Sequence, residues 1–109
     1  MQPVMQPVRT KADVIVRLQA QRTSLQALGV AGLGLFGSFV RDEATSVSDV
    51  DLLVDFAPGR KSLHSLVQLG DFLEALLGRR VELLTRPGLS PYIGPHILQS
   101  IENVLAPAA

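Results

Sequence analysis

Two short apolar runs, Ala31–Phe36 and Val50–Phe56, flank a polar segment and restrict the possible folds more than any other feature of the chain. Each is too short for a buried helix and is bounded by turn or charged residues, the pattern of a buried strand. The first run ends in Gly37-Ser38, and Asp49 and Asp51 stand at the start of the second. Helical spacing surrounds the pair. Thr10 followed by Asp13 resembles a capping box, and Val14, Ile15, Leu18, Leu25 and Leu28 recur on one face before Gly29. This predicts a helix over about residues 11–28. Ser62 can cap a second helix carrying Leu63, Leu66, Val67, Leu73, Leu76 and Leu77 on one side, with Gly78 as its stop.

Phe39 to Glu43 is predicted to form a short helix, and Ala44 to Ser48 a loop. Arg80 to Thr85 reads as a third strand, cut off by Pro87-Gly88. A last helix is predicted from near Pro95, with Ile97, Leu98, Ile101, Val104 and Leu105 on one face and Pro107 as its end. The resulting order, αβαβαβα, implies an α/β (α+β) domain in which a small mixed three-stranded sheet is packed by helices. Residues 1–9 contain the duplication Met1–Val4 and Met5–Val8 with two prolines, and are expected to form a loose tail. Residues 10–109 are expected to form a single domain.

Ten basic and ten acidic residues cancel, so the chain has no long-range field to draw in a polyanion. That argues against a stand-alone nucleic-acid binder. An apolar fraction of 47% beside 18% charged residues can fill a core and leave apolar surface for a partner. The absence of cysteine excludes disulfides, thiolate nucleophiles and Cys-type zinc sites. No apolar run reaches the roughly 18 residues of a membrane helix. The first ten residues lack the basic-then-apolar pattern of a signal peptide. The cytoplasm is the default location.

The informative segment is Phe36 to Phe56, FGSFVRDEATSVSDVDLLVDF. Asp49 and Asp51 are two positions apart, which along a strand puts both side chains on one face about 6–7 Å apart. Like charges so held need a cation or a proton to offset their repulsion. Hard oxygen ligands favour Mg²⁺, which takes its remaining ligands from water and substrate phosphates. Gly37 allows backbone to approach a ligand closely, and a helix starting at Ser38 would turn free N–H groups toward phosphate. Alone, each feature is common: Gly-Ser can be a plain turn, and Asp-x-Asp a pair of solvated acids. Together they offer one element for a triphosphate and another for its metal.

This run resembles the signature of the DNA polymerase beta-like nucleotidyltransferase superfamily, Gly-Ser, about ten residues, then Asp-x-Asp. It is similar to the minimal nucleotidyltransferases, often the antitoxin halves of HEPN/MNT toxin–antitoxin pairs. The likeness lies in Gly37-Ser38-Phe39-Val40-Arg41, in Ser48-Asp49-Val50-Asp51-Leu52 and in LEALLGRRVELLT, Leu73 to Thr85. The resemblance implies a third carboxylate at Glu82, where the family usually has Asp. A second departure is Asp42, where glycine commonly follows the arginine.

The resemblance implies transfer of AMP from ATP to a hydroxyl, such as a tyrosine of a HEPN toxin. Asp49, Asp51 and Glu82 would be the catalytic and Mg²⁺-binding residues, with Gly37, Ser38 and Arg41 on the nucleotide. Arg41 could equally pair with a neighbouring acid. Asp55 is expected to be a strand-end acid, Arg79 and Arg80 solvated, and His64 and His96 surface or capping residues. A chain this small needs its acceptor presented by a toxin or by a second copy. Two alternatives stay open: a catalytically weak module that neutralises a toxin by binding, and a transferase acting on a small molecule such as an aminoglycoside.

Overall fold

A computed structural model of the chain describes residues 6–92 and 94–105. Alternation within the second apolar run decides its architecture. In β2 (Val50–Phe56), Val50, Leu52 and Val54 join the main core, whereas Asp51, Leu53 and Asp55 have the opposite strand parity. A slip of one residue would exchange the two sets and bury two carboxylates.

β2 lies between β1 (Val30–Phe36), to which it is antiparallel, and β3 (Val81–Leu84), to which it is parallel. The parallel pair is joined by α3 (Leu63–Leu77), as such a crossover requires. Ser62 caps α3 by accepting from the Ser65 N–H at 3.0 Å, and Gly78 ends it in the left-handed conformation. Leu69, Leu73 and Leu77 of α3 are fully buried in one cluster with Leu33, Leu35, Leu52 and Val54 of the sheet. The expected strands, their order and the Ser62–Gly78 helix are therefore all present.

The expected helix over residues 11–28 is divided. α1 (Lys11–Ala20) carries the complete Thr10–Asp13 capping box, and α2 (Arg22–Ala27) follows a break at Gln21. The Gln21 N–H reaches Leu18 O at 3.1 Å, a tightened last turn. Leu18 and Leu25 on either side of the break are both fully buried. Val8, placed by sequence in the loose tail, is also fully buried, and its N–H donates to Leu77 O at 2.9 Å. Residues 1–5 of that tail lie outside the described residues.

Two further expectations fail. Residues 39–43 form successive turns rather than a short helix: Asp42 N–H donates to Phe39 O at 3.1 Å and Glu43 N–H to Ser38 O at 2.9 Å. Asp42 has φ 54°, a left-handed conformation through which an α-helix cannot propagate. This is the position where the resemblance implies glycine. Aspartate is one of the few other residues that tolerates the conformation, and here its Oδ1 also accepts from the Lys11 N–H at 2.9 Å.

The last helix is short as well. α4 (Gly94–Ser100) ends where the Ser100 hydroxyl bonds back to His96 O and Ile97 O, and β4 (Glu102–Leu105) follows. β4 pairs antiparallel with β1 and makes the sheet four-stranded, in the order β3-β2-β1-β4. Without it, a row of β1 backbone groups would face outward unpaired. Ile101 packs over Gly34, where any Cβ would overlap it. Pro107, the expected helix end, lies outside the described residues.

The two arrangements of the last segment differ in what each apolar side chain contributes. In a strand, Leu105, 3% exposed, is core, while Leu98, 41% exposed, is not. Leu105→Ala is expected to cost about 2–3 kcal/mol in urea unfolding, and Leu98→Ala less than about 1 kcal/mol. Equal costs at the two positions would favour a continuous helix over β4.

Candidate active site

β1 ends at Phe36, whose register partner on β2 is Asp51. The next residue, Gly37, turns the chain with φ 76° and lays its backbone directly against the Asp51 side chain. A Cβ built on Gly37 would overlap the Asp51 carboxylate. Glycine is therefore required twice, for the left-handed φ and for the close approach. The turn after it leaves Ser38 half-buried and exposes Arg41. Its two internal bonds use the N–H groups of Asp42 and Glu43 and leave those of Ser38 to Arg41 out of them. Phosphate would thus meet a turn, and not the N-terminus of a helix.

On its other side Asp51 faces β3, where its parallel register partner is Glu82. Asp51 is pushed up from 3.8 to about 6, first by burial, then by the hydrogen bond and negative charge of Glu82, and then by the charge of Asp49. The positive charge of Arg41 opposes this rise. When Asp51 is protonated, below about pH 6, its hydroxyl donates toward Glu82. The structure brings Glu82, Asp49 and Arg41 into the field of Asp51 and lays the Gly37 backbone beside it.

Asp49 precedes the strand and is exposed. Among the described residues no three His, Asp or Glu side chains converge into a ready metal cage. The donor chemistry nonetheless fits a hard divalent cation. Two carboxyls crowded closely enough to raise the pKa of Asp51, beside a third acid, form a site where a cation can relieve the repulsion. Mg²⁺ needs only one or two carboxylates when phosphates and water complete its shell.

Arg41 is paired with Glu43 at 3.0 Å, and both side chains are more than half exposed. Such a pair holds weakly, at about 0–1 kcal/mol, and is easily exchanged for phosphate. Asp55 is a bidentate partner of Arg86, at 3.0 and 3.3 Å, in keeping with a strand-end acid. His64 and His96 are exposed. Arg79 departs from expectation: it is half-buried and bonded to three main-chain carbonyls. Nothing local in its sequence distinguishes it from Arg80, which is exposed.

A cavity of about 210 Å³ opens beside Asp49, between Ser46–Ser48 and Gly78–Arg80. A larger one, about 340 Å³, is lined by Phe56, Leu63, Leu66 and Thr85. It lies at the opposite end of β2, about 17 Å along the strand from Asp51. Size therefore does not mark the site; the acids and the turn do.

Because the fold holds a proton on Asp51 more tightly than the unfolded chain does, ionising Asp51 costs stability. That cost is absent below pH 3.8 and complete once the pH has risen past about 6. After allowance for solvent screening of a group this exposed, it is on the order of 1 kcal/mol. Asp51→Asn is therefore expected to stabilise the metal-free protein by that amount at neutral pH and to change little near pH 4, as read from urea unfolding. A gain independent of pH would contradict this account of the carboxyl pair.

The chain is similar to known proteins in sequence and in fold. Residues 18–103 match the nucleotidyltransferase domain family. Protein adenylyltransferase MntA of Thermococcus cleftensis is 43% identical over 79 residues, covering 72% of this chain and 79% of that protein. A Methanocaldococcus jannaschii protein provisionally named a protein adenylyltransferase is 42% identical over 77 residues, covering 71% of this chain and 82% of the relative. A solved structure provisionally described as a minimal nucleotidyltransferase superposes with a TM-score of 0.73 at 33% identity, over 85% of this chain and 94% of its own. A crystal structure of a toxin–antitoxin with AMP-PNP shares the fold, with a TM-score of 0.63 at 18% identity over 88% of this chain and 73% of its own. This chain, with the glycine turn laid against the acid of the neighbouring strand, belongs to the nucleotidyltransferase domain family as a minimal nucleotidyltransferase.

Proposed function

We propose that the protein is an Mg²⁺-dependent adenylyltransferase that moves AMP from ATP to a hydroxyl, a tyrosine's, on a HEPN-type toxin and so acts as its antitoxin. The observation that carries the reading is the packing of the Gly37 backbone against Asp51, with Glu82 facing the same carboxyl. A phosphate-binding turn and an acidic pair placed side by side are what a triphosphate with its counter-ion needs. The protein acceptor is supported by the adenylyltransferase name of the 43%-identical relative. The toxin partner is supported by the toxin–antitoxin assembly that shares the fold.

In this reading Gly37 and Ser38 hold the β- and γ-phosphates and Arg41 leaves Glu43 to join them. Asp49, Asp51 and Glu82 hold the cations. When bound, Mg²⁺ would neutralise the triphosphate and stabilise charge on the leaving oxygen. Glu82 also receives the proton of the acceptor hydroxyl, whose oxygen bonds to the α-phosphorus as the bond to pyrophosphate breaks. Next to Asp49, Val47 is 88% exposed and offers apolar surface to a protein acceptor. Among the described residues no helix is long and apolar enough to cross a membrane. A second copy of the chain can take the partner's place only if it presents a hydroxyl to the same turn.

The test is incubation of the chain with labelled ATP, Mg²⁺ and the protein encoded by the neighbouring gene. Label is expected on the partner, and an Asp49→Asn/Asp51→Asn double variant is expected to lose at least about 10²-fold in rate and to stop neutralising the toxin. No label, with full neutralisation by the double variant, would establish a binding module in place of an enzyme. Label on an aminoglycoside and none on the protein would establish the small-molecule reading.

A further inference from the structure

The candidate site is assembled from three separate stretches of chain, and one side chain reaches all of them. Arg79 donates through Nη1 to the carbonyls of Thr45 and Ser48, at 2.8 and 2.9 Å. Its Nε donates to Val8 O at 2.7 Å. Its guanidinium lies over the Phe39 ring, 5.1 Å from the centroid, and Phe39 is fully buried. Ser48 directly precedes Asp49, Phe39 directly follows Ser38, and Arg79 itself stands three residues before Glu82.

The three hydrogen-bond acceptors are main-chain carbonyls, and none of the ion pairs among the described residues involves Arg79. Its contacts therefore fix backbone in place and do not neutralise a neighbour. A planar guanidinium can do this because its donors diverge at fixed angles while its face stacks on a ring. An ammonium group has neither property. The 45–48 loop has ties of its own, Thr45 N–H to Ser48 Oγ at 2.8 Å and Ser48 N–H to Thr45 O at 3.1 Å. Those ties shape the loop but do not locate it relative to the Gly37–Ser38 turn. Arg79 does.

We propose that Arg79 is a positioning residue for nucleotidyl transfer, locking the Asp49 loop to the Gly37–Ser38 turn at the separation the reaction needs. The proposal rests on the nucleotidyl-transfer reading above. Without the lock, each segment keeps its own contacts with nucleotide, while their mutual placement in the transition state is lost. Turnover then falls much further than nucleotide affinity.

The experiment compares full-length Arg79→Lys and Arg79→Ala with Arg17→Ala. Arg17 donates to Leu76 O at 3.0 Å and so ties α1 to α3 away from the acids. All are assayed well below their melting temperatures for labelled-ATP transfer to the partner toxin, and for amide hydrogen exchange in two segments, at the turn's bonded amides of Asp42 and Glu43 and over residues 45–48 of the loop. Both Arg79 variants are expected to lose about 10–100-fold in kcat, with KM for ATP within about threefold of wild type. Both are expected to exchange faster in both segments. Arg17→Ala is expected to keep its kcat and its protection in both segments even if its melting temperature falls as far. Wild-type kcat in Arg79→Lys, faster exchange in only one segment, or an equal loss of kcat in Arg17→Ala would overturn the proposal. If the wild type itself transfers no label, the adenylyltransferase reading fails. Exchange then decides the lock alone: faster exchange in both segments of the Arg79 variants upholds it, and unchanged protection in either removes it.

Discussion

Everything at the candidate site depends on the backbone of Gly37 lying against the carboxyl of Asp51. The contact is possible because β1 and β2 pair with Phe36 opposite Asp51, so the chain leaves β1 where the acid emerges from β2. No residue with a side chain fits there, since a Cβ would occupy the space of the carboxylate. This places main-chain donors of the turn beside an acid that is already partly desolvated. A bare anion would be repelled from such a place, whereas an anion with its cation is suited to it.

The sheet supplies the rest by parity. Val50, Leu52 and Val54 face the core under α3, so Asp51 must face the other way, and the parallel register with β3 brings Glu82 beside it. Crowding of the two carboxyls costs the metal-free fold some stability, a frequent feature of sites shaped for a ligand. The compensation lies in the core on the opposite face, where Leu69, Leu73 and Leu77 of α3 are fully buried against the sheet. Arg79 joins the two levels, reaching from the start of β3 to the loop and the turn that carry the site.

Much of this was legible in the sequence. β2 was read with its full length because its apolar run is flanked by turn signals, and α3 because Ser62 and Gly78 mark its ends. Glu82 as a third carboxylate is implied by the resemblance alone, and the parallel register that pairs it with Asp51 accounts for it physically. The turn at residues 39–43 was misread because its apolar and polar residues fit a helix, whereas the left-handed φ of Asp42 is visible only in the fold. β4 was hidden because Ile97, Leu98, Ile101, Val104 and Leu105 also satisfy a helical period, and only the open edge of β1 selects the strand. Arg79 was invisible for another reason: its acceptors are carbonyls from residues 8, 45 and 48, which no side-chain motif encodes.

In the proposed function the Gly37–Ser38 turn and the Asp51–Glu82 pair together hold a nucleoside triphosphate and its cation. The most direct measurement is a crystal structure of the protein with Mg²⁺ and a non-hydrolysable ATP analogue. The phosphates are expected against Gly37 and Ser38, with cation density between them and the Asp51 carboxylate. Nucleotide bound instead in the cavity beside Phe56 and Leu63, or phosphates that leave the turn untouched, would contradict it.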